Sequence, residues 1–257
     1  MRFSLFCILT LALMTPMGAI ADNHEERDAI ADVWIIVPKQ GMEAEFEKAA
    51  TEHIAYRASK GDSREWQAYT PVIGDRLNMV GFRACCFDWE DQDAYVAEEA
   101  EKGFSAHWNA NVHQYVDHYH HYLEEYDWDS SHWPEDSGPF TYFGVTTWNW
   151  KENPGPASSE ARKKFSKIAK EQGWAGDEHQ WLWSSRIGGQ SKLLLVIPHE
   201  NFADMAPPET TFYEFMTSKM SAEEADAIFD AFGSGFASSE FTVWKHRPEM
   251  SDMSDND

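Results

Sequence analysis

The sequence predicts an α+β fold in which two tandem βαββαβ units bring their antiparallel sheets together as one barrel. Three observations predict it. First, Ile73-Gly74-Asp75-Arg76-Leu77-Asn78-Met79-Val80 is echoed by Ile187-Gly188-Gly189-Gln190-Ser191-Lys192-Leu193-Leu194. The same offset sets Trp34 on Trp148, Ile36 on Trp150, Gly41 on Gly155 and Tyr69 on Trp183. With one residue dropped, Asp88-Trp89-Glu90-Asp91 falls on Asn201-Phe202-Ala203-Asp204. The interval is far longer than the roughly 20–50 residues of a solenoid repeat, so the repeated unit is a domain. Second, each half reads strand, helix, strand, strand, helix, strand. Third, Val33-Trp34-Ile35-Ile36-Val37 and Leu193-Leu194-Leu195-Val196-Ile197 are apolar at every position. A strand wet on one side would alternate, so these are covered on both faces. Helices cover one face and the sheet of the other half covers the second, which also removes exposed strand rims.

The elements follow in order. Residues 1–21 read as a secretory signal: Arg2, an apolar run from Phe3 to Met14, and the small-residue site Ala19-Ile20-Ala21, with cleavage after Ala21. That places the mature chain in the periplasm or outside the cell, with no membrane insertion once the signal is gone. The first unit spans 29–133. It opens with a strand at 31–37 and a helix at 42–59, whose Phe46, Ala49, Ala50, His53, Ile54 and Arg57 share one face. Strands at 65–72 and 77–87 flank the Ile73-Gly74-Asp75 turn. Asp88 caps a second helix that breaks near Gly103 and resumes to about Val116. A closing strand at 119–128 puts Tyr122, Tyr126 and Trp128 on one face. A linker at 134–139 leads to the second unit, 140–247. There we expect strands at 140–150, 179–186, 192–198 and 239–245. Helices are expected at 160–172 and 222–232, the latter with a Ser221–Glu224 capping box. An acidic, disordered tail at 248–257 ends the chain.

Composition narrows the partners. Lysine and arginine number 21 against 44 acidic residues, a formal net charge of −23. Loss of residues 1–21 removes Arg2 and no acid, so the mature chain is more acidic still. Such a field repels phosphate backbones and excludes nucleic acid. Of the three cysteines, Cys7 leaves with the signal. Cys85 and Cys86 are strand neighbours pointing to opposite faces, which predicts two separate thiols.

A duplicated βαββαβ unit with the Ile-Gly turn pair at 73–74 and 187–188 resembles the dimeric α/β-barrel superfamily. This group includes antibiotic-biosynthesis monooxygenase-like, NIPSNAP-like and EthD-like proteins, built on ferredoxin-like units. The resemblance implies a small apolar ligand, or a haem, held between sheet and helices. It also implies oxidation of aromatic substrates without a cofactor in some members. Tandem fusion would replace the usual homodimer, so the expected state is a monomer. A long, histidine-rich second helix region departs from the pattern.

The candidate site residues are polar or aromatic groups in places that packing alone does not require. His53 and Arg57 lie one turn apart on an apolar helix face, where polar groups must find partners or a ligand. Tyr69, Trp181 and Trp183 lie in strands, and His179 shares a face with Trp181 and Trp183. Together these six describe an aromatic-walled ligand pocket. His113, His118, His120 and His121 are the candidate metal set, since an i, i+2 pair on a strand can chelate. Their spacing matches no zinc signature, and no Cys-x-x-Cys-His haem motif occurs. The sequence therefore requires no cofactor, with haem and a divalent metal as alternatives. Three functions stay open: binding of a small apolar or aromatic molecule, oxygenase-like or haem-dependent catalysis, and a structural module for protein contacts.

Overall fold

The computed structural model describes residues 27–134 and 136–252. The expected signal and the last residues of the expected tail lie outside these. The first half runs β1 (Ile30–Pro38), α1 (Glu43–Ser59), β2 (Trp66–Ile73), β3 (Val80–Phe87), α2 (Trp89–Lys102), α3 (Phe104–Asn111) and β4 (Val116–Tyr126). The second runs β5 (Tyr142–Trp150), α4 (Ala157–Glu171), β6 (Leu182–Ile187), β7 (Lys192–His199), α5 (Phe212–Lys219), α6 (Ala222–Gly233) and β8 (Phe236–His246). The strands close into one antiparallel barrel in the order β1, β3, β2, β8, β5, β7, β6, β4. Pairing of β2 with β8 and of β4 with β6 joins the halves, so no strand keeps a free edge.

The uniformly apolar β1 is explained by its two environments. Ile36 faces outward into a core with Phe46, Ala50 and Ile54 of α1 and Phe82 of β3. Val33, Ile35 and Val37 face inward and line the barrel lumen. In the second half Trp181, Trp183, Leu193 and Phe236 face outward beneath the helices. A further core joins Phe165 of α4 to Met216 of α5 and Ile228 of α6.

Local signals set the helix ends. The Asp88 carboxylate accepts from the Glu90 and Asp91 amides and starts α2. Gly103, at φ 71°, takes the left-handed conformation that ends it. The expected Ser221–Glu224 box starts α6. A second box, Thr211 with Glu214, starts α5, a helix that sequence reading missed behind Pro207-Pro208.

Four expectations need correction. Residues 248–252 are ordered: Met250 is buried, and the Asp252 amide donates to the Trp66 carbonyl, so the acidic tail does not begin at 248. Cys85 and Cys86 are joined as a disulfide rather than standing as separate thiols. Their peptide bond is cis, so strand alternation does not separate their side chains. His179 lies ahead of β6 rather than in it. Finally, Tyr69 and Trp183 are not equivalent, because Tyr69 lines the lumen while Trp183 faces the helices. A register shift between Pro71 and Ile73 of β2 reverses the facing, and β6 pairs with both neighbours without one.

Candidate functional site in the barrel lumen

The resemblance pointed to the layer between sheet and helices, and the structure fills that layer with side chains. His53 is buried on α1, with its Nδ1 3.0 Å from Nδ1 of His107 and its ring edge-on to Trp108. Burial, helped by Arg57 and His107, lowers its pKa to about 3, so its imidazole is neutral. Arg57 is consumed by structure. Its Nε donates to Asp62 at 2.5 Å, Nη1 to Glu99 at 3.2 Å and Nη2 to the Tyr95 hydroxyl. These contacts tie the end of α1 to α2.

In the second half Trp181 Nε1 donates to the Ser130 carbonyl at 2.7 Å. Trp183 packs against Trp148 and Phe232. His179 stacks on Trp174 at 3.8 Å and donates from Nδ1 to its carbonyl. The six candidate ligand residues therefore fall in three places. His53 and Arg57 belong to one helix layer, and His179, Trp181 and Trp183 to the other. Tyr69 alone faces the lumen. Neither layer fits a haem, whose ring would have to displace Phe46, Phe82 and Tyr95 in one, or Trp183, Leu193 and Phe236 in the other.

The histidine set is likewise dispersed. His118 and His120 are adjacent at the lumen mouth, with ring centroids 5.1 Å apart, and His118 Nδ1 is 2.7 Å from Asp117. His121 faces the other way, stacked on Trp34 and 2.9 Å from Asp32. His113 bonds the Tyr119 hydroxyl. Among the described residues no three of His, Cys, Asp and Glu gather in a metal-binding group.

A cavity of about 1610 Å³ lies inside the barrel, lined by residues of all eight strands. Its apolar walls include Val33, Ile35, Val145, Leu194, Val196 and Trp244. One side carries a polar group of Arg83, Tyr122, Glu124, Tyr126, Ser184 and Arg186. Alternation along β4 turns Tyr122, Glu124 and Tyr126 inward together. Glu124 stands directly across the ladder from Arg186. Arg83 Nε donates to the Tyr126 hydroxyl at 2.6 Å. The Arg186 guanidinium lies 3.6 Å from the centre of the Tyr122 ring, and its Nε is buried without a hydrogen-bond partner. Among the described residues neither guanidinium forms an ion pair with a carboxylate.

The electrostatics follow from burial. Desolvation pushes the Glu124 carboxyl above its ordinary range, against the pull of Arg186, Arg83 and the Ser184 hydroxyl. Burial raises both Tyr122 and Tyr126, which stay neutral phenols. Burial alone would lower Arg83, but Tyr126, Tyr69 and Glu124 hold it above its usual value, so it stays charged. At the mouth His120 is lowered by burial and then by the neighbouring His118, Arg76, Arg186 and Lys192. Glu240 bridges two of these, 3.3 Å from Arg76 and 3.4 Å from Lys192.

A closed eight-stranded antiparallel barrel with helices outside is what the resemblance implied, and the structure adds the strand order, fourth, first, third, second in each half. The fold is of the dimeric α/β-barrel kind. Solved structures with a similar course include a proposed monooxygenase from Lactobacillus acidophilus, at TM-score 0.49 and 8% identity, with 85% of this chain and 94% of that one covered. An anthrone oxidase-like protein has TM-score 0.48 and 8% identity, with 86% and 92% covered. A mutant chlorite dismutase from Candidatus Nitrospira defluvii has TM-score 0.49 and 10% identity, with 86% and 93% covered. At this distance the likeness speaks to neither ligand nor reaction. No family model matches the sequence, and no curated protein matches it significantly.

Proposed function

We propose that this protein binds a small, largely apolar or aromatic molecule in the lumen of its barrel. One observation carries the reading: a cavity of about 1610 Å³ inside the barrel whose walls join an apolar stretch, Val33, Ile35, Val145, Leu194 and Val196, to many polar and charged groups. Ligand sites draw affinity from apolar lining and orientation from polar groups. The location differs from the one the resemblance implied, because packed aromatics occupy the helix layers. Native mass spectrometry of gently purified protein tests it. The expected result is a retained small molecule, or uptake of added 1-naphthalenemethanol. A bare protein mass that takes up none of this probe contradicts it.

The enzymatic alternative would use the same lumen, where Glu124 is placed to take a proton from a bound molecule. Its test is oxygen consumption with 1-naphthol, lost in Glu124→Gln while binding persists. We further read the two halves as ferredoxin-like units derived from one ancestor and closed within a monomer. Residues 1–21 we read as an export signal. An extracted protein starting at Asp22 supports that, and one retaining Arg2 contradicts it.

A further inference from the structure

Resting on the lumen as the binding site, we infer that its ligand is an apolar molecule bearing a carboxylate, with that carboxylate held by Arg186 and Arg83. The inference comes from what the two guanidinium groups do not contact. A buried arginine is ordinarily matched by a carboxylate, because an unpaired charge away from water is costly. Elsewhere in this chain the rule holds. Arg57 meets Asp62 and Glu99, Arg64 meets Asp32, and Arg162 meets Asp127. The two lumen arginines are half-buried and differ: among the described residues Arg83 bonds the Tyr126 hydroxyl and no carboxylate, and Arg186 lies on the face of Tyr122 with its buried Nε unbonded.

Glu124 is the one carboxyl inside this polar group, and no ion pair within 4.0 Å joins it to either arginine. Its recorded partner is the Ser184 hydroxyl, at 3.4 Å. Burial pushes its carboxyl above the ordinary range against the pull of Arg186 and Arg83, and its geometry pairs it with neither guanidinium. A planar oxyanion suits such a place, since guanidinium donors match carboxylate geometry in pairs.

The rest of the ligand is read from the walls. Val33, Ile35, Val145, Leu194 and Val196 accept a flat or extended hydrocarbon body. At the mouth nearest Arg186 the cations Arg76 and Lys192 are already bridged by Glu240, and His118 by Asp117, so among the described residues the entrance carries no free basic patch and the carboxylate assignment rests on the two inner arginines.

Isothermal titration calorimetry on the full chain tests this with two acids and their neutral counterparts: 1-naphthoate against 1-naphthalenemethanol, and octanoate against 1-octanol. The expected result is that at least one acid binds about tenfold or more tighter than its alcohol, the scale of one hydrogen bond to a charged group. Arg186→Gln should bring that ratio close to one, with the acid losing more affinity than the alcohol. Arg186→Lys, which keeps the charge without the fork, should retain part of the preference and guards against misfolding of the first variant. Equal affinity for acid and alcohol in the unaltered protein overturns the carboxylate assignment and leaves the lumen reading intact. Failure of all four compounds to bind overturns the lumen reading, and the carboxylate assignment with it.

Discussion

Glu124 is inward on β4, 8% exposed, and bonded only to Ser184 among the described residues. Because its pKa is raised in the folded chain, the unfolded chain releases this proton first as pH rises. Its contribution to stability is therefore full below the ordinary glutamate range and is lost as pH rises through the folded value. Glu124→Gln should melt close to wild type at pH 4 and above it at pH 8, in paired thermal scans. A gap that does not widen with pH contradicts the assignment. Arg57 tests the opposite case. Removing it by Arg57→Ala leaves the fully buried Asp62 carboxylate without its guanidinium, a loss of about 3–5 kcal/mol. Denaturant unfolding should register that loss, while 1-naphthoate affinity stays unchanged. Weaker binding with intact stability would return Arg57 to the ligand site.

At the scale of elements, much of the order along the chain was legible. The all-apolar β1 announced two covered faces, the Asp88 cap and Gly103 bounded α2, and Ser221 with Glu224 started α6. What escaped has physical reasons. Helix α5 is short and follows two prolines, although its Thr211–Glu214 box was present to be read. The lumen cluster escaped because Arg83 of β3 and Ser184 and Arg186 of β6 are distant in sequence from β4, and meet its side chains only through β4–β6 pairing and closure of the barrel. Alternation had already placed Tyr122 and Tyr126 on one face, and the same rule carries Glu124 between them. His53 and Arg57 were correctly placed on the buried face of α1, but their partners, His107, Asp62 and Glu99, could not be seen from spacing. The C-terminal turn makes a further prediction. Met250 is 2% exposed and packs into the first-half core, so Met250→Ala should cost about 2–5 kcal/mol in urea unfolding. A change near zero would mean that the tail only rests on the surface.

For the whole molecule, closure of the barrel is what creates the lumen. Each half alone would expose two unpaired strand edges, β2 and β4 or β6 and β8, and its inner sheet face to water. Residues 27–133 expressed alone should therefore sediment as a dimer or larger, and a well-folded monomer would deny that the halves need one another. The central claim is that the lumen is a ligand site rather than loosely filled core. Val145 points into the cavity from β5, midway along a strand paired on both sides. Val145→Trp places a large side chain there without touching either helix layer. The deciding measurement is the affinity of Val145→Trp for 1-naphthoate, with circular dichroism as the check on folding. Binding abolished in a natively folded variant is the predicted result, and binding at wild-type strength would contradict it.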